Sequence, residues 1–132
     1  RQAHDDTLEI LKEEKADETR VVMHCFSGDT DMLREVLGRG YFVSFAGPIT
    51  FKKSHAARKV ASLVPDDRLL AETDAPFLSP EPYRGKPNVP ERVRLVANEL
   101  SRIRGVTTDE MANLLAANTE TAFGIETREK IQ

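Results

Sequence analysis

Apolar and polar positions fall in blocks of two kinds that take turns along the chain. Over residues 3–16, Ala3, Leu8, Leu11 and Ile10 lie near one side and Lys and Glu on the other, which predicts a helix ended by Asp17-Glu18-Thr19. Arg20 to Cys25 is a short apolar run of the kind a buried strand shows. Asp29 can cap a following helix that turns Met32, Leu33, Val36 and Leu37 inward and stops at Gly38 and Gly40. Tyr41 to Ala46 reads as a second, almost wholly apolar strand. A helix near 52–63 then buries Ala56, Ala57, Val60 and Leu63, and Arg68 to Thr73 reads as a third strand.

Near-continuous apolar strands separated by single amphipathic helices are the signature of βαβ units, whose parallel sheet is covered by helices. The predicted fold class is therefore α/β, in a single domain without internal repeats. Ala75 to Pro90 has no periodicity and holds Pro76, Pro80, Pro82, Pro87 and Pro90, so it is expected to be a long ordered loop. Helices near 90–104 and 107–117 follow. The second opens on Thr107-Thr108-Asp109-Glu110, a capping box, and Ala122-Phe123 is expected to pack a last turn.

Size and composition narrow this picture without naming a function. The 132 residues suit one domain but fall well short of a complete (β/α)8 barrel of about 250 residues. Apolar residues make up 39% and charged ones 31%, the balance of an ordinary globular chain. No apolar run approaches the roughly 18 residues of a membrane helix. The first residues lack the apolar core of a secretory signal, and the single cysteine, Cys25, excludes an internal disulfide, so a cytoplasmic location is expected. A net charge of −3 argues against wholesale coating of nucleic acid, though not against a local basic groove.

Chemistry in parallel α/β folds collects where strands hand over to loops. That rule puts His24, Gly47 with Thr50 to Lys53, and Asp74 on one rim. Strand alternation sets Val22 and His24 on one face, as it does Leu70, Glu72 and Asp74. His24 alone reads as a hydrogen-bonded structural histidine rather than a ligand; paired with Asp74 it becomes a candidate metal ligand, since imidazole with carboxylate suits Mg, Mn or Zn. Glu72 lies two residues deeper and is expected to support the site rather than bind the ion. Lys52, Lys53, Arg84 and Lys86 fall on rim loops where they could hold phosphates, and solvated surface cations are the alternative. Phe26, Phe51, Phe77 and Tyr83 fall there too, open either to stacking on bases or to packing beneath a loop. His4 and His55 read as surface residues. No phosphate-cradling glycine motif, paired-cysteine zinc signature or serine elbow is present.

Five strings, in order and in register, carry a resemblance. They are Val22-Met23-His24-Cys25-Phe26-Ser27-Gly28, Gly40-Tyr41-Phe42-Val43-Ser44, Gly47-Pro48-Ile49-Thr50-Phe51-Lys52, Glu72-Thr73-Asp74-Ala75-Pro76-Phe77-Leu78 and Arg84-Gly85-Lys86-Pro87-Asn88. With the ending from Asn118-Thr119 to Phe123, they resemble the TatD family of metal-dependent deoxyribonucleases over nearly the whole chain.

The resemblance implies an amidohydrolase-like (β/α)8 barrel with one to three divalent metals and hydrolysis of phosphodiester bonds in DNA, as an exonuclease. It implies that His24 and Asp74 are metal ligands, that Asp74 also accepts a proton from the attacking water, and that Lys52, Arg84 and Lys86 contact substrate phosphates. The family's His-x-His pair on the first strand, its glutamate on the fourth and its histidine on the fifth have no counterpart here, and Arg1 matches the arginine two residues after that last histidine. The chain is therefore expected to be the C-terminal half of a barrel, with three strands and the last four helices. Such a half leaves sheet edges unpaired and an apolar strand face uncovered, which predicts a partner supplying the other half, or aggregation. Two other readings stand beside the nuclease: a hydrolase of a small ester or amide, including an aminoacyl ester on tRNA, and an inactive fragment that binds a partner.

Overall fold

A computed structural model describes residues 3–126, so Arg1 lies outside the described residues. Helix α1 (His4–Glu13) is followed by strand β1 (Val22–Met23), helix α2 (Thr30–Gly38), strand β2 (Phe42–Phe45) and helix α3 (His55–Leu63). Strand β3 (Leu69–Ala71) precedes the proline loop, and helices α4 (Val93–Arg104) and α5 (Thr108–Phe123) complete the chain. The strands form one parallel sheet in the order β1-β2-β3, with Val22 beside Phe42 and Ser44 beside Leu70. The α/β reading holds.

The sheet's two faces carry different side chains, as alternation requires. Val43, Phe45 and Leu69 face the helices and join Leu33, Val36, Val60, Val96, Leu100 and Met111 in the main core. Val22, Phe42 and Leu70 lie on the other face with Ala122. An open apolar face was expected there, but Phe42 and Leu70 are only 4% and 3% exposed. The end of α5 brings Ala122 against them, and the Arg68 guanidinium stacks 5.1 Å over the Phe42 ring. Among the described residues, no helix is long and apolar enough to cross a membrane.

Several element boundaries differ from the sequence reading, for local reasons. The first helix stops at Glu13, because Lys15 adopts a left-handed φ of 52° before a short turn at Ala16–Glu18. Ile10 is exposed rather than inward: two residues from buried Leu8 it is rotated by about 200° around the helix axis. The first strand is only half-buried. Helix α3 begins at His55 and turns Val60 and Ala61 inward, leaving Ala56 and Leu63 in solvent. Helix α5 continues unbroken to Phe123, burying Ala122 while Phe123 stays exposed. Its capping box forms as predicted, with the Thr107 hydroxyl accepting from the Glu110 amide and Glu110 accepting from the Thr107 amide.

Both predicted helix starts hold a carboxylate below its ordinary range. Backbone donation from Met32, then from Asp31, lowers Asp29, and the Thr107 amide, then its hydroxyl, lowers Glu110. A carboxylate lowered in the folded state contributes stability that is present above its unfolded pKa and is lost as pH falls through the native value. The stability difference between the native chain and Glu110→Gln should therefore be constant at neutral pH and shrink below about pH 4, as measured by denaturant titrations across acid pH. A difference independent of pH would contradict it.

Candidate metal centre

Three side chains meet at the C-terminal ends of β1 and β3. His24 follows β1, and Glu72 continues β3, where its amide donates to the Phe45 carbonyl at 2.9 Å. Both project from the face that carries Val22 and Leu70. Asp74 comes after the strand has ended and sits at φ 57°, a left-handed conformation that aspartate tolerates better than branched residues do. His24, Glu72 and Asp74 each offer a ligand atom, all within 4.8 Å of one another.

The internal geometry distinguishes the three. His24 Nδ1 lies 2.9 Å from Glu72 Oε1, and with its proton on Nδ1 the imidazole donates to the carboxylate and leaves Nε2 as a free electron-pair donor. Glu72 is the more buried partner, with its side chain 21% exposed against 70% for His24. An imidazole nitrogen beside carboxylate oxygens is a mixed donor set that fits Mg, Mn or Zn, so the residues present suit a divalent cation. Glu72 offers one carboxylate oxygen to His24 Nδ1 and is also one of the three side chains whose ligand atoms converge.

The loop after β3 is built to hold Asp74. Asn88, buried at 4% exposure, donates through Nδ2 to the carbonyls of Thr73 and Phe77, both at 2.8 Å, and its amide donates to the Pro76 carbonyl. Ser79 Oγ donates to the Lys86 carbonyl at 2.6 Å, and Arg92 donates to the Pro87 carbonyl at 2.7 Å. Thr50 Oγ1 donates to the Gly47 carbonyl and accepts from the Glu81 amide, joining the loop after β2 to the proline loop. Arg58 fixes the former from below by donating to the carbonyls of Ile49, Phe51 and Lys52.

Roles for Asn88, Arg58 and Arg92 did not emerge from sequence reasoning. For Asn88 a signal existed: prolines supply no N–H, so a proline-rich loop needs side-chain donors for its carbonyls. Asn88→Ala would leave two carbonyls without donors, at a cost of about 1–3 kcal/mol. Urea unfolding should show that loss, and a change within about 0.3 kcal/mol would count against a positioning role for Asn88.

The candidate phosphate residues separate. Asp74, Arg84 and Lys86 line one cleft of about 880 Å³ with Phe77 and Ser79. Arg84 is steadied there by stacking 4.1 Å over the Phe51 ring. Lys52 is exposed beside this cleft's Phe51 but does not line it.

The strand ends of this parallel sheet gather one imidazole and two carboxylates near Arg84 and Lys86, a donor set that can take a divalent cation. The comparisons make the family specific: residues 1–124 match the model described as TatD related DNase, and the chain belongs to that family. It is 41% identical over 125 residues to the uncharacterized metal-dependent hydrolase YabD of Bacillus subtilis, covering 95% of this chain and 49% of that protein. It is 42% identical over 126 residues to YcfH of Escherichia coli, also described as an uncharacterized metal-dependent hydrolase, covering 96% and 48%. Among solved structures, the TatD homologue YJJV of Escherichia coli superposes with a TM-score of 0.86 at 33% identity, over 96% of this chain and 48% of that one. The fold is thus a portion of a TIM-type barrel, and the chain spans about half the length of the curated relatives it matches.

Proposed function

We propose that this chain supplies part of the active site of a divalent-metal-dependent hydrolase that cleaves phosphodiester bonds in DNA, acting as an exonuclease. The observation that carries the reading is the convergence of His24, Glu72 and Asp74 within 4.8 Å, with Asp74 sharing its cleft with Arg84 and Lys86. The family description points to DNA as substrate. His24 Nε2 and Asp74 would hold the cation, and a further half of the barrel would contribute the remaining ligands. A bound divalent ion would lower the pKa of water and stabilise negative charge on the phosphoryl oxygens.

The chain's own residues have distinct tasks in this reading. Asp74 accepts the proton of the attacking water, a general-base role for which its loop fixes its position. Glu72 orients the His24 ring through Nδ1. Arg84, held over the face of the Phe51 ring, and Lys86 contact the phosphates, with Lys52 a contact for strand lying farther out.

The test uses the chain together with the N-terminal half of the Bacillus subtilis relative YabD, so that the barrel is complete. Hydrolysis of an end-labelled oligodeoxynucleotide should be abolished by chelator and restored by Mg, Mn or Zn. Hydrolysis that persists in chelator would refute the proposal. Turnover of a small ester or aminoacyl-tRNA under the same metal, with DNA left intact, would instead select the ester or amide hydrolase.

A further inference from the structure

The four aromatic rings on the strand-end loops have different surroundings. Phe26 is buried in the core, edge-on to Phe45. Phe51 carries the Arg84 guanidinium at 4.1 Å, and Tyr83 carries that of Arg92 at 4.0 Å. Phe77 is 67% exposed and, among the described residues, stacks on neither a cation nor another ring.

Its backbone, by contrast, is held at both ends. The Phe77 amide donates to the Asp74 carbonyl at 2.8 Å, and its carbonyl accepts from buried Asn88. A single exposed apolar ring is ordinary on a protein surface. This one lines the cleft of Asp74, Arg84 and Lys86, on a main chain that binding would not have to order.

We propose that Phe77 is the stacking platform for a nucleobase of the bound strand, set beside the phosphate that Arg84 and Lys86 contact. The inference rests on the reading of this cleft as a DNA site and adds a base subsite to it. A flat ring recognises every base through its π face, so the platform is sequence-tolerant and needs an unpaired base. Arg84 and Phe77 divide the work: the cation, already occupied by Phe51, serves the phosphate, and the free ring serves the base.

The chain contains no tryptophan, so Phe77→Trp places a sole indole at the platform, excited selectively over the two tyrosines. A pentamer of deoxyadenosine should quench it saturably, whereas a five-residue abasic deoxyribose-phosphate chain of equal charge should not. Phe77→Ala should weaken binding of the adenine pentamer, followed by competition, by roughly tenfold, the effect of one stacked base, and leave binding of the abasic chain unchanged. Equal quenching by both, equal weakening of both, or no effect of Phe77→Ala on either would overturn the platform. Quenching by the base-bearing strand without its hydrolysis in the completed barrel would leave the platform standing and sink the nuclease reading; hydrolysis that ignores Phe77 would do the reverse.

Discussion

Asp74→Asn is expected to lower DNA hydrolysis by the completed barrel about 10²–10⁴-fold while leaving the fold intact, because it removes the charge needed for proton transfer and keeps the side chain's shape. Asparagine tolerates the left-handed φ of 57° as well as aspartate does, so a conformational cause is largely removed from the comparison. Loss of charge should also weaken the divalent cation, visible as a higher metal concentration for half-maximal rate. His24→Ala should produce a loss of similar size, since it deletes the imidazole that Glu72 orients. Single-turnover rates at saturating metal separate the two effects. Asp74→Asn activity within tenfold of the native value at all metal concentrations would remove Asp74 from the chemistry.

Gly47→Ala should be the most damaging small substitution for the framework of the site. A methyl group there would lie 1.8 Å from the Leu78 carbonyl oxygen and 3.0 Å from the Pro80 nitrogen, both backbone atoms. Leu78 already sits at a left-handed φ of 52°, and the Ser79 and Thr50 bonds pin the same stretch, so the loop has little freedom to retreat. A loss of about 3 kcal/mol is expected from overpacking, together with displacement of the segment that holds Asp74 and the cleft. Gly38 provides the matched control. Its position in α2 is open, with nothing within 4 Å of an added methyl, and Gly38→Ala should stabilise the chain by about 0.5–1 kcal/mol through helix propensity. Urea unfolding of the two variants checks both signs. Equal effects would show that the close approach at Gly47 carries no energy.

Much of the framework was legible in the chain. Three apolar runs gave three parallel strands, and Asp29 and Thr107 capped α2 and α5 as their residue types require. Helix ends were read less well, because boundaries at Glu13, His55 and Phe123 depend on single φ values and on which neighbour a side chain meets. The rim rule put His24 and Asp74 at the strand ends and alternation put Glu72 on the face of Leu70, whereas Asp74 lies past the end of β3 at a left-handed φ that alternation does not describe.

By itself, then, the sequence determined the α/β layering, the register of alternating faces and the residue types on the rim, since each follows from local periodicity. Only the tertiary structure decided distances and partners. It set Glu72 against His24 Nδ1, made Gly47 a contact point for Leu78, and divided four similar aromatics into one core ring, two cation supports and one open face. It also set Ala122 and Arg68 against the face of Phe42 and Leu70, which the half-barrel reading expected to be uncovered. The physical reason is range: periodicity reports which side of an element a residue occupies, whereas contact between residues 31 or 48 positions apart is fixed only when the whole chain packs.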